Sequence, residues 1–238
     1  MVVQIVAAEH AVRDPGVTGA DLAWFGHLQQ LTYRRLAGRP EWRDTVLAAL
    51  PSDIRATATA NADATADLRA TVVPGPDLPK TWRIVDPAPL DDLARYYRDA
   101  EVEFGIPWSY LAAIHLVETR MGRIRGTSVA GAQGPMQFMP ATWARYGEGD
   151  INSDRDAIRA AARYLQANGA PANMAGALFR YNQSQRYVRG HRLRRSDARG
   201  SRCVSRVLRL AGLLPHDLRR RPPASRVRPL TSRRAAAR

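Results

Sequence analysis

The apolar positions of the chain repeat with the period of a helix, not a strand. In DLAWFGHLQQLTYRRLAG, Leu22, Phe25, Leu28 and Leu31 recur near helical spacing before the stop at Gly38. Pro40 opens a second short helix, PEWRDTVLAAL, that Pro51 ends, and the Ala/Thr/Asp-rich stretch 56–70 predicts a third. Residues 71–89, TVVPGPDLPKTWRIVDPAP, hold five prolines and read as a linker or extended wrap. The pattern then sharpens. PLDDLARYYRDAEVEFG predicts an amphipathic helix ended by Gly105, and IPWSYLAAIHLVETRMG a mostly buried one with Pro107 in its first turn. Residues 122–136 are rich in glycine and small side chains and read as loop, QFMPATWARYG as a short helix. A further helix is predicted over 154–167 with Asn168-Gly169 as its stop, and a last one ends near Tyr181. No stretch alternates as a strand does, so the expected fold class is all-α.

Within this pattern Glu118 is out of place. It closes WSYLAAIHLVE, and Leu111, Ile114 and Glu118, at i, i+3 and i+7, share one helix face. A carboxylate on an apolar stripe must either find a cation or have its proton affinity raised by desolvation. The residues leave both readings open. Glu118 is either paired with Arg120, Arg123 or Arg125, or it is a carboxyl able to donate a proton near neutral pH.

The surrounding motifs narrow the choice. Glu118 is followed by Thr119, and the loop SVAGAQGPMQ brings Ser128, a Gly131–Gly134 step, Met136 and Gln137. ALFRYN then ends in Tyr181-Asn182. In this order and spacing the residues resemble the catalytic domain of lytic transglycosylases, the peptidoglycan-cleaving enzymes of lysozyme-like (goose-type) fold. The closest likeness is to the membrane-bound lytic transglycosylase B type and its actinobacterial relatives, over about residues 85–188. The resemblance implies that Glu118 is the single catalytic acid/base and that Ser128, Met136, Gln137, Tyr181 and Asn182 bind the glycan. It implies cleavage of the β-1,4 bond between N-acetylmuramic acid and N-acetylglucosamine to a 1,6-anhydro product. Two carboxylates serve most glycosidases. In the reaction the resemblance implies, the muramic 6-hydroxyl is the nucleophile, and its high effective concentration removes the need for a second. No cofactor is implied. A muramidase that uses water instead and a non-catalytic wall-binding module are the alternatives.

Composition changes this picture at two places. The net charge of +14 lies wholly in the fifty residues from Arg189, which hold 16 arginines and two aspartates, so the preceding 188 are neutral overall. A neutral body with glycan motifs argues against nucleic acid as partner. The domains expected are an N-terminal helical region (1–75), the catalytic domain (76–188) and an Arg-rich, unstructured tail (189–238). A one-base frame change near Val188 would account for the tail's abrupt loss of pattern. Second, GEGDINSDRDAI alternates Asp150, Asn152 and Asp154 like the start of a calcium loop, but Arg155 stands where such a loop needs glycine and no glutamate closes it. No bound metal is expected; the acids should cap the following helix. No apolar run approaches the roughly 18 residues of a membrane span, and the N-terminus does not read as a signal peptide, although the substrate places the expected site of action at the cell wall. A monomer acting on glycan strands is the expected form.

Overall fold

The computed structural model describes residues 1–71 and 82–198, with side chains to residue 191. Most of the proline-rich segment and the tail beyond residue 198, including Cys203, lie outside the described residues.

The first unit comprises α1 (Val2–Ala11), α2 (Gly19–Ala37), a 3-10 turn at Pro40–Trp42, α3 (Arg43–Ala48) and α4 (Ser52–Arg69). The third predicted helix therefore begins at Ser52, directly after Pro51, earlier than the composition suggested. Its core gathers Ile5, Tyr33, Leu36, Leu47, Leu50 and Ile54. Ala58, Ala62 and Ala64 are buried along α4, whose small side chains let neighbouring helices approach closely.

The second unit comprises β1 (Arg83–Ile84), α5 (Leu90–Phe104), α6 (Trp108–Thr119), β2 (Ile124–Arg125), α7 (Pro140–Tyr146), α8 (Asp154–Ala167), α9 (Met174–Tyr181) and α10 (Gln185–Ala198). The all-α expectation holds, with one addition. β1 and β2 form a two-residue antiparallel pair, Arg83 opposite Arg125 and Ile84 opposite Ile124. Two-residue strands are too short for an alternation to register in a sequence. Pro107 stands just before α6 as its N-cap, and α5 ends at Gly105 in the left-handed conformation, φ 68°.

α6 runs through the middle of the second unit. Leu111 and Ile114 are fully buried, and α5, α8 and α10 all pack against it. At its C-terminus three successive residues, Arg120, Met121 and Gly122, have positive φ. This turns the chain sharply into β2 while burying Met121.

The expected boundary at Val188/Arg189 does not coincide with a structural break. α10 runs unbroken across it to Ala198, with Val188, Gly190 and His191 all buried. Helical packing continues because Gly190 and His191 face other helices while Arg189 points outward, a periodicity that arginine counting conceals.

Candidate active site

Glu118 lies in the last turn of α6. Among the described residues its carboxylate makes no ion pair; Oε1 accepts a hydrogen bond of 2.6 Å from the Tyr187 hydroxyl of α10. Of the three arginines considered as partners, Arg125 is instead committed to Asp154 at 2.9 Å, while Arg123 is buried with its Nε donating to the Val85 carbonyl. Burial raises the Glu118 pKa from 4.5 to about 7, and the Tyr187 hydroxyl, which favours the ionised form, only partly opposes this. No carboxylate is among these influences. Of the two readings the residues left open, the desolvated acid is the one that agrees with the geometry.

Thr119 fastens the neighbouring loop. Its hydroxyl donates to the Pro135 carbonyl at 2.5 Å and accepts from the Gly122 amide at 3.0 Å. A threonine directly after the carboxylate thus ties the end of α6 both to its own turn and to the loop across from it.

That loop is held by its own backbone. Ser128 N–H donates to the Ala132 carbonyl and Ala132 N–H to Ser128 Oγ, at 2.8 and 2.9 Å. Gln133 and Phe138 exchange paired backbone bonds of 2.8 Å. Gln137 has φ 52° and donates from Nε2 to the Gly134 carbonyl at 2.9 Å. A non-glycine residue in the left-handed region is uncommon and marks a position that its surroundings hold in place. Gly134, at φ 72°, could not be replaced, since a Cβ there would lie 2.0 Å from the Ile151 carbonyl oxygen.

An aromatic stack forms the remaining wall. The ring of Tyr181 lies parallel to that of Tyr187, with centroids 6.5 Å apart and planes 9° apart. Its hydroxyl donates to the Met136 carbonyl at 2.7 Å. Tyr181 also makes ring contacts with Phe138 and Tyr164. The structure therefore brings Glu118, Met136 and Tyr181 together, with Gln137 and Ser128 on the adjoining loop. Asn182 is exposed at the C-cap of α9, its backbone N–H bonded to Leu178. Met136 is wholly buried, so it supports the loop through its carbonyl.

The acids that alternate like the start of a calcium loop are employed within the protein. Asp150 accepts from the Asn152 backbone at 2.9 Å. Asp154 pairs with Arg125 and faces the buried His115, whose Nε2 is 3.3 Å from Oδ1, close but not aligned for a hydrogen bond. Burial alone would raise the Asp154 pKa, but His115 and Arg125 outweigh it and hold it below 3.8. Among the described residues no group of three or more His, Cys, Asp or Glu is arranged to hold a metal. The N-cap of α8 is Ser153, which accepts from the Asp156 amide; the aspartates sit in the first turn instead.

Tyr187 is the site residue that sequence reasoning missed. Its signal was faint: one aromatic in QRYVRG, next to the expected edge of the domain, with a partner 69 positions away. Only the packing of α10 against α6 brings the two together.

Residues 95–201 match the family described as Transglycosylase SLT domain. A stretch of 122 residues is 35% identical to Membrane-bound lytic murein transglycosylase F of Thiobacillus denitrificans, covering 48% of this chain and 26% of that protein. The chain thus spans about a quarter of that relative's length. No solved structure matches. From within α5 to just past α10 the chain, all-α and lysozyme-like in fold, is similar to the Transglycosylase SLT domain, and the relative it resembles there is named a lytic transglycosylase.

Proposed function

We propose that the chain is a peptidoglycan lytic transglycosylase that cleaves the MurNAc–GlcNAc β-1,4 bond with Glu118 as sole acid and base. The observation that carries this reading is a half-buried carboxyl whose one hydrogen bond among the described residues comes from Tyr187 and whose neighbour Thr119 is tied to the 128–137 loop; desolvation there raises its pKa to about 7. At neutral pH a useful fraction of Glu118 is protonated, so it protonates the bridging oxygen as the anomeric C–O bond breaks. The muramic 6-hydroxyl attacks the anomeric carbon. Glu118, now ionised and steadied by Tyr187, takes the hydroxyl proton, which closes the 1,6-anhydro ring and restores the acid. Ser128, Gln137, Tyr181 and Asn182 are proposed to contact the sugars.

In its finer form this reading keeps the likeness to the B type, whereas the matching relative is named an F-type enzyme. Glycan strands are the partner, a monomer the acting form and the cell wall the place of action. No helix among the described residues is long and apolar enough to cross a membrane. Mass spectrometry of digested peptidoglycan tests the reading. The anhydro product is lighter by one water than the reducing sugar a muramidase releases, and its absence, with reducing ends in its place, would make the chain a hydrolase. No cleavage with retained glycan binding would make it a wall-binding module.

A further inference from the structure

Helix α4 belongs to the N-terminal unit and lies outside the matched residues 95–201. Yet it is a principal support of α10, the helix that carries Tyr187. Two contacts make the connection, and a third, within α10, backs Tyr187. Arg189 forms a two-pronged bond to Asp67, Nε to Oδ2 at 3.0 Å and Nη2 to Oδ1 at 2.8 Å. Gly190 is buried against Leu68 so tightly that an added Cβ would lie 2.8 Å from Leu68 Cγ. One helical turn beyond Tyr187, His191 is fully buried, its Nδ1 2.8 Å from the Tyr187 carbonyl and its ring 3.9 Å from the tyrosine ring. On the opposite side, Tyr187 reaches Glu118.

We infer that α4 is a positioning element of the active site: by accepting Gly190 against Leu68 it seats α10 so that the Tyr187 hydroxyl is held on Glu118. The inference rests on the reading of Glu118 as proton donor. Of the two contacts on α4, the glycine matters more. Arg189 is more than half exposed, and exposed ion pairs contribute about 0–1 kcal/mol. The Gly190 contact is steric, and backbone approach of this kind is lost with the first added carbon. α10 is an ordinary right-handed helix at Gly190, so alanine there suits the backbone and even favours the helix. Any damage must then come from Leu68.

The test is an NMR titration of the Glu118 side-chain carboxyl in the full chain, which needs no turnover. Tyr187→Phe, which removes the hydroxyl and keeps the ring, serves as the ruler: it raises the midpoint, because the lost bond favoured the ionised form. Gly190→Ala is expected to move the midpoint in the same direction by roughly half a unit, about threefold in proton affinity. Adding Leu68→Ala to Gly190→Ala should return it to the wild-type value, and Gly190→Ala should add nothing in a Tyr187→Phe background. Leu68→Ala alone covers the case in which Gly190→Ala does not fold. It loosens the seat without inserting an atom and should also raise the midpoint. The inference is overturned if Gly190→Ala and Leu68→Ala leave the midpoint unchanged while Tyr187→Phe moves it, or if their effect persists without the hydroxyl. Should the wild-type chain show this pattern yet leave peptidoglycan uncut, the proposed function falls and the inference stands. Cleavage with an indifferent midpoint gives the reverse.

Discussion

Each unit carries a glutamate withdrawn from solvent on a helix, Glu9 fully and Glu118 partly, and they treat it in opposite ways. Glu9 of α1 is completely enclosed, and its oxygens accept from Arg13, from Gln29 at 3.0 Å, from Tyr33 and from Asn61 at 3.4 Å. Gln29 and Tyr33 lie on α2, Asn61 on α4 and Arg13 just past α1, so the carboxylate of α1 links three helices. Among the described residues Glu118 accepts one hydrogen bond and pairs with no cation. A buried charge with a full set of donors is a structural device, because removing it strands the donors. One left short of donors holds its proton longer, and that property is what acid catalysis needs. The lesson is that burial alone does not distinguish the two carboxyls; the number of donors each is given does.

Glu118→Gln breaks the comparison most severely. Cleavage of peptidoglycan should fall by about 10²–10⁴-fold with the circular dichroism spectrum unchanged. The same variant should alter the pH dependence of stability. Because the folded pKa lies above that of the unfolded chain, stability supplied by protonated Glu118 is complete below about 4.5 and declines as pH rises to about 7. Urea unfolding of Glu118→Gln across this range should lack that part of the decline.

Glu9→Ala is the counterpart. It should cost about 3–5 kcal/mol of stability, read from the urea midpoint, while the pH dependence of cleavage by the molecules that remain folded stays where it was. An altered pH profile would mean that the two carboxylates are not separable in the way the geometry indicates.

Asp154 offers a third contrast, a largely covered carboxylate paired with Arg125 and set beside His115. Its folded pKa is lowered, so its contribution is present above the unfolded value near 3.8 and is lost as pH falls through the lower folded one. Asp154→Asn should be less stable than the parent at pH 6, and the gap between them should narrow below pH 4 in acid unfolding curves. The smallest effect belongs to Tyr187→Phe. Without that hydroxyl the Glu118 pKa rises further, and the alkaline limb of kcat/KM for glycan cleavage should move upward by less than about one unit. A downward shift would mean that the hydroxyl chiefly keeps water out.

Much of this was written along the chain. The helical period located α2, α5, α6, α8 and α9, with prolines and glycines setting their ends, because local sterics and capping need no distant partner. The position of Glu118 on an apolar face was legible for the same reason, whereas Thr119 and the Ser128–Gln137 loop pointed to a candidate site only through the family they resemble. Three features were not legible. The β1–β2 pair joins segments about forty residues apart through two residues each, too few to leave a pattern. α10 was hidden because arginines dominate its composition while Gly190 and His191 occupy the buried positions. And whether Glu118 takes an arginine or keeps its proton is a matter of distance. Arg125 was drawn to Asp154, across 29 positions, and Tyr187 to Glu118 across 69. The sequence by itself determined which segments are helical and which carboxyl stands on an apolar face. The tertiary structure alone decided which partners reach that carboxyl, because desolvation and hydrogen bonding depend on what packs nearby in space.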